Sequence, residues 1–263
     1  MHEGIYIAAS AGKKQGRKME VIAQNLANVN STGYKGDRLA FKELMTPFPS
    51  DKGQEPTNDL LLQTEKSKLN VSYVAVTEQY TDHEQGSMKQ TNSELDMALD
   101  GPGYFSVSTK EGIRYTRNGN FRLNTENQIV NQKGQPVLGE QGEPIVITAE
   151  GTEISIDGYG NIFVGTGERS ANIGKIKFID FDNKQTLEKL GDGLFFQNDT
   201  EADEKPVNDT KLRQGFLESS NVTATDEMTN MISTVRLFET YQKIIQSIDN
   251  MNEQSVNSIG RIG

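Results

Sequence analysis

Along the first 29 residues, Ile5, Gly12, Met19 and Leu26 recur every seven positions, and Ala8, Ile22 and Val29 form an interleaved track whose one polar member is Gln15. Towards the other end Met231, Phe238, Ile245 and Ile259 keep the same period beside Met228, Val235 and Val256. A helix with such a seam removes its apolar stripe from water only by packing against a partner helix. The pattern predicts a first helix from about residue 2 to 28, on the order of 40 Å long at 1.5 Å per residue. It predicts a second of about 38 residues ending near Ile259, roughly 57 Å long. The apolar face of the second widens around Leu237, Phe238, Ile244, Ile245 and Ile248. That is more than two facing helices need, so a bundle or contact with neighbouring subunits is expected.

Gly12 and Gly16 each weaken the first helix by about 1 kcal/mol relative to Ala, while permitting close approach of another helix. The tract stops in Asn28-Val29-Asn30-Ser31-Thr32-Gly33, where Asn and Gly supply the left-handed and turn conformations that end helices. Asn221, Thr223 or Thr225 can cap the second helix, and Asp226 and Glu227 suit its positive N-terminal end.

Between the helices the period changes. From about residue 74 to 216 short β-rich runs alternate with turn residues; the clearest runs are 104–107, 114–116, 145–147, 154–156, 162–164 and 176–181. Turns are marked by Asp100-Gly101, Asn118-Gly119, Lys133-Gly134, Gln141-Gly142, Asp157-Gly158 and Gly191-Asp192-Gly193. A small irregular barrel or a sandwich is expected, and no repeat period suggests a solenoid or propeller. Residues after Lys42 to about Tyr73, with Pro47, Pro49, Gly53 and Pro56, read as a linker or extended arm. The expected fold is α+β, an all-β central domain with paired long N- and C-terminal helices forming a coiled coil. The corresponding division is 1–36 for the first assembly helix, 37–73 for the arm, 74–217 for the β body and 218–263 for the second assembly helix.

At 263 residues the chain can bury one large core or two modest ones. Apolar residues make up only 34%, with no Trp, a low hydrophobicity for a compact enzyme. No apolar run approaches the roughly 20 residues that span a bilayer, and residues 1–7 lack the order of a cleaved signal peptide. A soluble chain that does not use that export route is expected. The absence of cysteine excludes disulfides, thiolate metal sites and cysteine nucleophiles. The net charge of −10 is uneven, because residues 1–42 carry seven basic side chains against three acidic ones. The acidity of the remainder argues against duplex nucleic acid as a partner. Lys13, Lys14, Arg17 and Lys18 read as a solvated helix face, with an acidic neighbour or lipid headgroups as the other reading.

Candidate chemistry is sparse. His83 lies between Asp82 and Glu84, but adjacent strand positions point to opposite faces and do not converge on one ion, so an exposed polar segment is expected there. Asp180 and Asp182 share a strand face, yet Lys184 breaks the calcium-loop spacing. Gly165-Thr166-Gly167 lacks the third glycine of a dinucleotide fingerprint, and neither a phosphate loop nor a Gly-x-Ser-x-Gly elbow is present. No pair among the 37 acidic residues is singled out for glycan cleavage. No catalytic residue, metal ligand, cofactor or small-molecule substrate is expected.

The segment Ile22-Ala23-Gln24-Asn25-Leu26-Ala27-Asn28-Val29-Asn30-Ser31-Thr32-Gly33-Tyr34-Lys35 closely resembles the N-terminal signature of the flagellar basal-body rod and hook family. Three further blocks resemble that family in the same order. Gln85-Gly86-Ser87-Met88-Lys89-Gln90-Thr91 leads to Leu95 through Phe105. Tyr115-Thr116-Arg117-Asn118-Gly119-Asn120-Phe121 reads as a strand entering a turn. Gln214-Gly215-Phe216-Leu217-Glu218-Ser219-Ser220-Asn221-Val222 precedes Glu227-Met228, Met231-Ile232 and Arg236-Leu237-Phe238-Glu239. Length, and a β body directly between the terminal blocks, look like a rod protein and not the longer hook proteins. Tyr80-Thr81-Asp82 and Phe238 look more like the proximal-rod than the distal-rod type. Gln24, where Asn is common, and the polar run 13–18 depart from the family pattern.

The resemblance implies a non-enzymatic structural subunit that assembles with other rod proteins and with copies of itself. It also implies delivery through the flagellar export apparatus to a basal body outside the inner membrane, without signal cleavage. The rival reading is a secreted glycan-binding or glycan-cleaving β domain that its helices merely oligomerise. The seams and helix-stop blocks nominate as assembly-interface residues Ile5, Met19, Ile22, Asn25, Leu26, Asn28, Asn30, Gly33, Asn221, Met228, Met231, Ile232, Val235, Phe238, Ile245 and Ile248.

Overall fold

The computed structural model describes residues 2–46, 71–147, 153–165, 170–198, 204–207 and 209–259. Helix α1 is His2–Ala27 and helix α2 is Ala224–Ile259. Between them, in chain order, lie β1 (Asp37–Thr46), β2 (Val71–Thr81), β3 (Met88–Gln90), β4 (Met97–Asp100), β5 (Tyr104–Thr109) and β6 (Gly112–Thr116). There follow β7 (Arg122–Leu123), β8 (Ile129–Val130), β9 (Ile154–Ile156), β10 (Asn161–Val164), β11 (Ala171–Lys175) and β12 (Phe178–Asp180). The last strands are β13 (Leu187–Gly191), β14 (Leu194–Gln197), β15 (Lys205–Pro206), β16 (Lys211–Gln214) and β17 (Phe216–Glu218). Two long helices at the ends and a mostly β centre make the chain α+β.

Two compact units divide the chain. The first holds Met1–Ala23, Arg38–Gln79 and Met228–Gly263. On α1 Ala8, Gly12, Gln15 and Ile22 are covered and Ile5, Met19 and Leu26 half-buried, which follows the three-then-four spacing of one helix face; Val21 and Asn25 are covered as well. A side chain at Gly4 would come 3.5 Å from Ile248 Cδ1, and one at Gly12 would come 3.9 Å from Tyr241 Cβ. Positions further along α1 thus meet positions further back on α2. On α2 the covered or half-covered track is Met231, Thr234, Phe238, Tyr241, Ile245, Ile248 and Asn252. Its interleaved members are therefore Thr234, Tyr241 and Ile248; Val235 is half-buried beside Thr234, Met228 is exposed, and the side chain of Val256 lies outside the described residues. β1 and β2 pair as a two-stranded sheet at the two ends of the span 37–73 expected as a linker or extended arm; residues 47–70 of that segment lie outside the described residues.

The second unit holds Gln24–Asp37 and Tyr80–Glu227. Its largest sheet has the order β13-β14-β6-β5-β12-β15, and every pairing in it is antiparallel. Successive residues of β5 point to opposite faces, and both faces are covered. Phe105 and Val107 enter one core with Met97, Leu99, Ile129 and Ile162, while Tyr104 enters another with Tyr115, Phe181 and Phe195. A three-stranded sheet β11-β10-β9 and short ribbons β16-β4, β17-β3 and β7-β8 complete the unit. The six-stranded and three-stranded sheets share one core, to which β5 gives Phe105 and Val107 and β9 and β10 give Ile154, Ile156, Ile162 and Val164. The run 145–147 contributes only the isolated bridge Val146–Gln128, and of the run 176–181 only β12 is strand.

Candidate assembly site

Four distant segments of the second unit meet at one polar junction: the end of α1 with residues 28–37, residues 82–86, the turn after β6, and β17 with the approach to α2. Each lies within one of the sequence blocks that carry the family resemblance, apart from the adjoining 36–37 and 82–84. After Ala27 the main chain winds on, with Asn28 N donating to Asn25 O at 3.1 Å and Ser31 N to Asn28 O at 3.0 Å. Asn28 Nδ2 donates to Gln24 O at 2.9 Å, satisfying one of the orphan carbonyls of a helix end. Gly33 then turns the chain at φ +66°, where an added Cβ would sit 2.5 Å from the Arg117 carbonyl carbon. Position 33 thus needs glycine for both its conformation and its closeness to another backbone.

Beyond that turn, residues 33–37 run between residues 82–86 and 218–221. Gly33 N donates to Glu218 O (2.7 Å), Asn221 N to Tyr34 O (3.3 Å) and Asp82 N to Gly36 O (2.8 Å). Asn221 Oδ1 accepts from Gly36 N at 2.8 Å, and its Nδ2 donates to Asp82 O at 2.8 Å and Glu84 O at 3.2 Å. Asn221 was a candidate helix cap; its amide is instead spent on this clasp, and the first turn of α2 closes through Glu227 N to Thr223 O at 3.1 Å. At Gly86 an added Cβ would collide with Ser219 O.

An ionic cluster lies inside the clasp. Lys35 Nζ donates to Glu218 Oε1 at 2.5 Å and to Glu84 O at 2.6 Å. Gly86 N donates to the same carboxylate oxygen at 2.9 Å, and Arg117 Nε stands 3.5 Å from Glu218 Oε2. Side-chain exposure is 0% for Lys35, 1% for Glu218 and 4% for Arg117. Two cations share one carboxylate, and Arg117 also donates to Gly101 O at 2.6 Å. Burial is the largest influence on Lys35 and pulls its ammonium below the ordinary lysine range, against the opposing pull of Glu218.

Asn25 ties the roots of both helices to this cluster. Its Oδ1 accepts from Asp37 N at 2.9 Å and from Tyr34 Oη at 3.3 Å, while its Nδ2 donates to Asp37 O at 2.9 Å and to Glu227 Oε1 at 3.3 Å. A second ion pair, Lys189 to Asp37 at 3.0 Å, lies beside it, with Lys189 Nζ 4.1 Å from the centre of the Tyr34 ring. Burial, then the charge of Asp37, pushes the Tyr34 phenol up to about 12.

His83 departs from its expected exposure. The ring is half-buried between Tyr104 and Phe195, and Nδ1 lies 2.6 Å from Tyr104 Oη. Burial first, then the cations Lys35 and Lys184, push it down to about 4. Short-range alternation could not show this, because the covering rings come from β5 and β14. Among the described residues no group of three or more His, Asp or Glu is placed to hold a metal ion.

The nominated residues divide. Asn25, Gly33 and Asn221 meet in the junction, with Asn28 at its edge. Ile5, Met19, Ile22, Leu26, Met231, Val235, Phe238, Ile245 and Ile248 are buried or half-buried, whereas Asn30, Met228 and Ile232 are exposed. Lys35, Arg117 and Glu218 were not nominated, although each stands in a quoted block. A charged residue inside such a block was the one signal for them, since charged side chains are otherwise read as solvent-facing.

Residues 5–35 match the family described as Flagella basal body rod protein, residues 98–164 the Flagellar hook protein FlgE/F/G D1 domain, and residues 213–259 the Flagellar basal body rod FlgEFG protein C-terminal. The chain is 30% identical over 263 residues to the flagellar basal-body rod protein FlgF of Caulobacter vibrioides, covering 100% of both. It is 32% identical over 260 residues to FlgG of Buchnera aphidicola subsp. Schizaphis graminum, covering 95% of this chain and 97% of that one. It is 31% identical over 264 residues to FlgG of Bacillus subtilis, covering 98% and 99%. Of the junction, residues 28–35, Arg117 and 218–221 fall within these matches, and the chain belongs to the flagellar basal-body rod protein family.

Proposed function

We propose that this chain is a structural subunit of the bacterial flagellar basal-body rod, assembling with copies of itself and with other rod proteins into a helical shaft that transmits torque. The observation that carries the reading is a second apolar stripe on α2. Leu237, Ile244 and Met251 recur every seven residues and are 46%, 40% and 49% exposed, on a helix whose other face is half-covered. An exposed apolar row of this kind marks a surface meant for another protein. Head-to-tail contacts that do not close generate open helical polymers.

In this reading α1 and α2 pair as an antiparallel coiled coil, which the approach of Gly4 to Ile248 and of Gly12 to Tyr241 supports, and neighbouring subunits cover the second stripe. The nominated interface residues serve those two packings. The chain leaves the cell interior through the flagellar export apparatus and works outside the inner membrane, in the periplasm of a two-membrane cell. Tyr80-Thr81-Asp82 and Phe238 favour the proximal-rod type.

The test is assembly in isolated basal bodies. Chains lacking residues 1–30 or 230–263 should give no rods, and the pair L237D/I244D should block rods while leaving monomer stability within about 0.5 kcal/mol, as for exposed sites. Normal rods from these chains refute the proposal.

A further inference from the structure

The polar junction couples two chain ends that are remote in sequence. Lys35 and Glu218 are separated by 183 positions. Residues 33–37 fill the space between 82–86 and 218–221, so each side is completed by the other. Without 33–37, the 218–221 segment loses the Gly33 and Gly36 amides, the Tyr34 carbonyl and the Lys35 ammonium. Without 218–221, the 33–37 segment loses those same bonds, and buried polar groups left unpaired are costly.

We propose that Lys35, Glu218 and Arg117 form a latch through which the C-terminal end of α1 and the N-terminal turn of α2 become ordered together or not at all. Three observations carry it. The cluster draws one residue from each end and one from the body, and all three are buried. The hydrogen bonds of Asn25 to Asp37 and Glu227 link the end of α1, the inserted segment and the first turn of α2. Finally, among the described residues the core around Phe105, Ile129 and Val137 draws on none of residues 24–37 and on none of the three latch residues, so this core persists when the latch opens. A chain delivered N-terminus first closes this latch only after residue 218 has arrived. Until then, neither helix root is fixed. The latch is a property of the single chain and does not depend on what the helices assemble with.

Hydrogen exchange of the full-length chain under increasing urea tests this. The amides of Gly33, Gly36 and Asp37 should share one opening, with one urea dependence, with those of Asn221, Val222 and Glu227. Ile129 and Val137 should open separately and more slowly. K35M should speed exchange at Glu227, and E218Q at Asp37, each at least tenfold, without changing Ile129 or Val137. Different urea dependences for the two segments in the unaltered chain, an effect confined to residues adjoining the substitution, or a uniform rise throughout would each overturn the latch. Should K35M or E218Q not fold, exchange in the unaltered chain still decides.

Discussion

Lys35 Nζ stands 2.5 Å from Glu218 Oε1, with both side chains removed from solvent and the two residues 183 positions apart in the chain. A pair of this kind is expensive to desolvate, so its contribution to stability is modest while intact and large when half of it is removed. K35M should therefore lower the unfolding free energy by about 3–5 kcal/mol. The double variant K35M/E218L should recover little of that loss, because it leaves the buried Arg117 guanidinium without its carboxylate. Urea denaturation of the single and double variants measures both.

His83 gives the junction a pH dependence of definite sign. Its ring falls from an ordinary 6.5 to about 4 in the fold, so the unfolded chain takes up a proton before the native one does. Its contribution to stability is full above about pH 6.5 and is lost as the pH falls towards 4. Each tenfold weakening of proton binding is worth about 1.4 kcal/mol, so the full loss attributable to this ring is about 3–4 kcal/mol. H83Q should flatten the urea midpoint between pH 7 and 5 relative to the unaltered protein, whereas identical slopes would contradict the assignment.

Gly33→Ala places a methyl group where 2.5 Å separates it from the Arg117 backbone, at a φ of +66°. The left-handed conformation alone costs an L-residue about 1–2 kcal/mol. The collision with main chain adds to that, so a total loss of about 3 kcal/mol or more is expected in chemical denaturation.

Gly16→Ala should act in the opposite direction. Position 16 lies in the middle of α1, and apart from the helix's own backbone no heavy atom of the described residues comes within 4 Å of an added Cβ. The substitution should stabilise the single chain by about 1 kcal/mol through helix propensity, seen as a raised thermal midpoint. If assembly falls despite that gain, the open space at Gly16 is the place where a neighbouring helix approaches.

Phe238→Asp buries a carboxylate in the half-covered face of α2 beside Thr234, Tyr241 and Ile245. Several kcal/mol of destabilisation are expected, together with loss of rods. An unchanged thermal midpoint would show that this face is not packed in the single chain.

The sequence by itself determined what depends on neighbours a few positions apart. Seven-residue spacing located both helices and the covered face of α1, because residues three, four and seven apart share one side of a helix. The Asn-rich stop and paired turn residues such as Asn118-Gly119 marked where the chain changes direction, since few residue types accept those conformations. The four ordered blocks were enough to place the chain in its family. Tertiary structure alone decided that Lys35, Arg117 and Glu218 are buried together, that Asn221 clasps residues 33–37 instead of capping α2, and that His83 lies under Tyr104 and Phe195. Each of these depends on which distant segments the β topology brings side by side, and a charged or polar side chain carries no local mark of the partner that makes its burial tolerable.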